Sequence, residues 1–201
     1  YWRSPSLREI DAPAIGASVG VAPRTQIGVS LPYYHLTDSF GFTSHGVGAS
    51  YATVKLGVLQ GRRINMSTSP TLEILNWSSP QIGRVNAVLP VNVQTDIGRT
   101  RFYGSTGYFS RGSVFGSGAA EWSLGNRVTL TTTVAHSYSV VSDPISDALG
   151  VSRHRTDGSG GMYLSLRRTL VLFASAGRTL SPVTETSGRL SVTGGLTINI
   201  S

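Results

Sequence analysis

The chain has 201 residues, enough for one domain (1–201), and carries 17 Lys and Arg against 10 Asp and Glu, a formal net charge of +7. Charged residues make up only 13%, Gly reaches 24 and Cys is absent, which excludes disulfides, thiolate catalysis and Cys-based zinc sites and argues against a helical bundle. No apolar run approaches the roughly 18 residues of a transmembrane helix, whereas a transmembrane strand needs only about 9–11 with every second one apolar.

In chain order, the first ten residues (YWRSPSLREI) are read as a partial first strand. No leader is visible at Tyr1, so an exported form is expected here as mature or trimmed chain. From there alternation with period two recurs almost everywhere and period 3.6 almost nowhere. Turn residues divide the pattern into strands near 12–22, 25–36, 46–59, 63–76, 84–95, 99–110, 113–124, 127–140, 158–167, 169–180 and 188–200. In the strand from Arg127, Val128, Leu130, Thr132, Val134, His136, Tyr138 and Val140 share one face, and Thr129, Thr131, Thr133, Ala135, Ser137 and Ser139 the other. At the C-terminus Leu190, Val192, Leu196, Ile198 and Ile200 oppose Ser191, Thr193, Thr197 and Asn199. The segment from Leu170 to Gly177 is apolar on both faces, so its lipid side is not fixed by pattern.

Connection lengths alternate. Short ones fall at 22–24, 60–62, 96–98, 124–126 and 167–169, longer ones at 37–45, 77–83, 141–157 and 181–187, with 111–112 the exception. Bacterial outer-membrane barrels sort short turns and long loops to opposite ends in this way. Parity then asks for one strand before residue 12, which gives an even total. The expected fold is therefore all-β: a transmembrane antiparallel up-and-down β-barrel of about 12 strands, in the outer membrane of a Gram-negative envelope.

The runs APAIGASVGVAPRTQIGVSLPYYHL and GVGASYATVKLGVLQGRRINMSTSPTLEIL then resemble the outer-membrane family named for the meta-pathway of phenol degradation. The later runs RTRFYGSTGYFSRGSVFGSGAAEWSL and GGMYLSLRRTLVLFASAGRTLS continue the likeness over most of the chain. The resemblance implies a roughly twelve-stranded, transporter-like outer-membrane barrel and carries no catalytic residues. One departure is the end, Ile198-Asn199-Ile200-Ser201, where such barrels finish in an aromatic assembly signal.

If the apolar faces meet lipid, Lys55, Glu73, Arg101, Glu121 and Arg167 fall on the lumen side. Tyr51, Tyr103, Tyr163, Asn86, Asn92 and Gln94 join them. Charges of both signs at such positions serve either as a selectivity lining or as paired groups that fill a narrow barrel. Aromatics near strand ends (Tyr33, Tyr34, Trp77, Trp122 and Tyr138, with Tyr108 and Phe109) are expected in an interfacial girdle. The Arg residues at turns (Arg24, Arg62, Arg63, Arg99, Arg127, Arg167, Arg168) are dispersed, which suits lipid and lipopolysaccharide headgroups and not nucleic acid. The basic loop cluster Arg153, His154 and Arg155 is a second surface of that kind.

The four histidines His35, His45, His136 and His154 show no metal-ligand spacing, so neither metal nor cofactor is expected. A lipid-facing hydrolase would need a serine on the face of His136, and the adjacent Ser137 points the other way. No enzyme is therefore expected, although a lipid-facing hydrolase built on His136 stays open as a third reading beside two others. One is a passive channel or transporter for small anionic or aromatic solutes. The other is a closed structural barrel that anchors an envelope assembly, with envelope proteins or further copies of the chain as partners.

Overall fold

Alternation is what makes these segments strands, because β-branched and aromatic residues pack well at every second position of a pleated surface. The structure, a computed structural model, describes residues 1–75, 85–141, 152–183 and 187–200. Its strands are β1 (Trp2–Arg3), β2 (Leu7–Ala22), β3 (Thr25–Asp38), β4 (Thr43–Val47), β5 (Ser50–Gln60), β6 (Ile64–Thr68) and β7 (Thr71–Ile74). They continue as β8 (Val85–Ile97), β9 (Thr100–Phe109), β10 (Ser113–Leu124), β11 (Val128–Ser139), β12 (His154–Arg167), β13 (Leu170–Ser181) and β14 (Leu190–Ile198).

Two pairs of these are single strands with a break. β4 and β5 both lie against β3, and β6 and β7 both lie between β5 and β8. The second break falls at Ser69-Pro70, where proline has no N–H for the ladder, yet its carbonyl still accepts from Val54 N–H at 3.0 Å. Counted this way the sheet is a closed antiparallel barrel of twelve strands, every neighbour adjacent in sequence, with β1 joining β14 to β2.

The closing strand is short. Tyr1 and Trp2 pair with Val192 and Ser191, and Trp2 with Glu9, near the long-loop end. Beyond this, β2 keeps a ladder partner only on β3, and β14 only on β13, among the described residues. The partial strand expected within 1–10 thus narrows to Trp2–Arg3, and the chain from Leu7 belongs to β2.

Short connections sit at one end: 23–24, 61–63, 98–99, 125–127 and 168–169. Positive φ at Gly98 (63°), Gly125 (75°) and Arg24 (65°) lets these chains reverse tightly. At the other end the expected loop 37–45 is a much smaller turn. Asp38 Oδ1 accepts from the N–H groups of Phe40 and Phe42, both at 2.9 Å, so β3 runs on to Asp38 and β4 starts at Thr43. The expected loop 141–157 is also shortened, because β12 begins at His154. The loop expected at 77–83 lies outside the described residues.

The barrel is inside out relative to a water-soluble domain. Among the described residues the only buried hydrophobic is Ala120, while Ile15, Val29, Leu31, Val58, Leu89, Val134 and Leu196 are each half exposed or more. On β11 the outward row Leu130, Val134, His136 and Tyr138 is exposed and the inward row Thr129, Thr131, Thr133, Ala135 is half-buried, as the alternation requires. The ambiguous strand β13 resolves by register. Leu172, Ala174 and Ala176 pair with the outward Leu196, Gly194 and Val192, and Val171, Phe173 and Ser175 face inward. Phe173 finds room because a Cβ on Gly195 would stand 2.6 Å from its ring.

Candidate functional site: the polar lumen

Inward positions of β5, β7, β8, β9 and β10 build a network on the barrel wall. Glu73 on β7 is buried, 5% exposed, and its carboxylate is met from three sides. Asn86 on the neighbouring β8 donates at 3.0 Å, Tyr51 on β5 donates its hydroxyl at 3.3 Å, and Arg111 forms an ion pair at 2.5 Å. Tyr51 and Asn86 are the ladder partners of Glu73 on its two flanking strands, so sheet register alone sets those contacts. Arg111 comes from the turn between β9 and β10, and its guanidinium also lies 5.2 Å from the Phe109 ring centre.

Lower on the wall the pattern repeats. Tyr103 donates to Glu121 at 2.8 Å, and Arg101 pairs with Asp96 at 2.6 Å across the β8–β9 hairpin. Asn92 accepts from Ser105 at 2.8 Å and donates to Ser69 at 3.3 Å. On the far wall Arg155 pairs with Asp157 at 2.8 Å, and Asp157 also accepts from the buried Thr179 at 2.7 Å. Among the described residues no buried side-chain nitrogen or oxygen lacks a hydrogen-bond partner.

These pairs run along the wall. Arg101–Asp96 joins adjacent strands, Arg155–Asp157 lies within one strand, and Arg111–Glu73 reaches past β8 alone. A cavity of about 940 Å³ remains toward the short-turn end, lined by Arg24, Gln26, Lys55, Asn65, Asn92 and Tyr103 among others. Lys55 has no hydrogen-bond or ion-pair partner among the described residues. A smaller cavity of about 260 Å³ lies on the opposite wall near Trp2, Asp157 and Thr179.

Of the residues expected to line the lumen, Tyr51, Lys55, Glu73, Tyr103 and Glu121 therefore face it, with Arg101 at its short-turn rim. Tyr163 faces inward beside Phe173, their ring centres 6.3 Å apart. Arg167 stands apart: a bulge after Ser165 puts it opposite the outward Leu170, exposed at the rim. Sequence reasoning missed Arg111, Asp96 and Asp157, and it placed Arg155 in a surface loop cluster, whereas Arg155 sits on β12 opposite the inward Ser137 and pairs with Asp157. Arg111 sat in an apparent tight turn, 38 residues from its partner, and nothing in the pattern joins the two.

The aromatics divide between faces. Tyr33, Trp122 and Tyr138 lie on outward rows, as does Tyr108. Tyr34, next to Tyr33, takes the inward row with Pro32, and Phe109 is also inward. Trp77 lies outside the described residues. The outward His136 has its Nδ1 2.9 Å from Thr156 Oγ1, while Ser137 faces the lumen. Among the described residues no group of three or more metal-ligating side chains converges.

No protein-family model and no curated protein matches the chain. Among solved structures it is similar to the NanC porin, with a TM-score of 0.71 at 8% identity, covering 100% of this chain and 97% of that one. The likeness lies in the fold alone: both are antiparallel β-barrels.

Proposed function

We propose that this barrel is an outer-membrane channel that passes small polar solutes passively, with its apolar exterior in lipid and its long-loop end toward lipopolysaccharide. One observation carries the reading. The lumen charges neutralise one another along the wall and leave a polar cavity of about 940 Å³ holding Lys55, which has no partner among the described residues. A charge-filled plug would instead set its pairs across the interior. Lys55 and Arg24 at that cavity favour anions, and Tyr163 with Phe173 offers ring surface to aromatic solutes. The transporter-like role implied by the sequence resemblance points the same way, and so does the likeness in fold to a porin.

Osmotic swelling of proteoliposomes tests this. Vesicles holding the refolded barrel should swell in arabinose and faster in succinate, and Lys55→Glu should diminish the advantage of succinate. Absence of swelling from a folded barrel would favour the structural alternative, an envelope anchor with a closed interior.

A further inference from the structure

The outward face at the long-loop end carries a feature that conduction does not use. In the β3–β4 ladder His35 stands directly opposite His45. Gly48 N–H donates to Pro32 and Asp38 N–H to Phe42, so the even-numbered residues of β3 make the ladder bonds. His35 and His45 are therefore a non-hydrogen-bonded pair, the kind whose side chains approach most closely. Their rings lie nearly parallel, 29° apart, with centres separated by 6.0 Å. Tyr33 walls one side, edge-on to His35 at 5.2 Å and 6.4 Å from His45. Both histidines are exposed, and no ring nitrogen of either has a hydrogen-bond partner among the described residues.

We infer that His35 and His45 form a two-imidazole chelate for a borderline-soft divalent cation of the Cu²⁺, Ni²⁺ or Zn²⁺ class, on the outer wall of the barrel. The spacing is within reach of one ion, though the stacked rings must first turn. Metal–nitrogen bonds of about 2.0–2.1 Å in the ring planes place the centres of two ligating imidazoles up to about 6.4 Å apart. Rotation of both exposed rings about Cβ–Cγ, to aim a nitrogen of each at a common point, with the centres about 0.8 Å closer than observed, gives a tetrahedral angle. Imidazole suits these three ions, and water completes the coordination. Two neutral ligands give modest affinity, which falls as pH drops because protons compete for the same nitrogens. Arg8 also faces outward, on β2 opposite Thr37, and its charge opposes the cation.

A second pair, His136 and His154, has ring centres 6.2 Å apart, so it must be removed from the test. In the detergent-solubilised H136Q/H154Q barrel, Cu²⁺ should bind at one equivalent, with an electron paramagnetic resonance spectrum showing two imidazole nitrogens. Adding H35Q or H45Q should each weaken Cu²⁺ at least about tenfold, because a chelate becomes a single ligand. Arg8→Gln should strengthen it. Heat-modifiable gel mobility checks that every variant is folded. A one-nitrogen spectrum, or equal affinity with and without the two histidines, would overturn the inference.

Discussion

Val91 and Gln94 sit near the middle of the same strand, β8, on opposite faces. Val91 is 45% exposed in the outward row, while Gln94 lines the large cavity beside Tyr103. Placing Arg at each position separates the two environments with one chemistry. On the lipid face an Arg near the bilayer midplane costs about 2–4 kcal/mol. Losing the valine contact with lipid adds roughly 1 kcal/mol, so Val91→Arg should destabilise by about 3–5 kcal/mol. At Gln94 the new guanidinium enters a polar space large enough to hydrate it, near the half-exposed Asp96. The only side-chain bond lost there among the described residues is a 3.5 Å contact to Asp96, so Gln94→Arg should cost less than about 1 kcal/mol. The assay is reversible guanidinium unfolding of the barrel in phospholipid vesicles, followed by tryptophan fluorescence. Equal costs for the two variants, or a larger one for Gln94→Arg, would refute the assignment of faces.

Two further substitutions probe the interior. Glu73→Ala removes a buried acceptor serving Tyr51, Asn86 and Arg111, and should cost about 2–3 kcal/mol in the same unfolding assay, whereas Glu73→Gln, which keeps an acceptor oxygen, should cost about half that. Gly195→Val drives a side chain into the Phe173 ring and should cost about 1–3 kcal/mol; the double variant with Phe173→Ala should recover part of that loss, and strict additivity of the two costs would contradict the packing.

Strand existence and facing were legible because the side-chain period is two and each outward row meets one solvent. The rows of β8, β11 and β14 follow the alternation residue for residue. Loop lengths were less legible. Asp38 folds a turn that the pattern shows only as a polar gap, and β12 extends back to His154 through residues that resemble a basic loop. At Arg167 a bulge flips the face, and an inserted residue leaves no mark on alternation until the partner strand is known. The site was half legible for a related reason. Inward position can be counted along one strand, so Glu73, Tyr103 and Glu121 were identifiable. Partnership depends on register between strands, so the Tyr51–Glu73–Asn86 rung emerged only from the ladder. Arg111 reaches its carboxylate from a turn and obeys neither rule. His35 and His45 belong here too, since ten residues of separation hide a direct cross-strand pair.

The central claim is that the polar interior is a conducting path. Single-channel recording of the purified, folded barrel in a planar bilayer tests it most directly. The account predicts discrete conductance steps in KCl, with anion preference that weakens when Lys55 is replaced by Glu. A barrel that inserts, resists heat like a folded one and yet passes no current would contradict it.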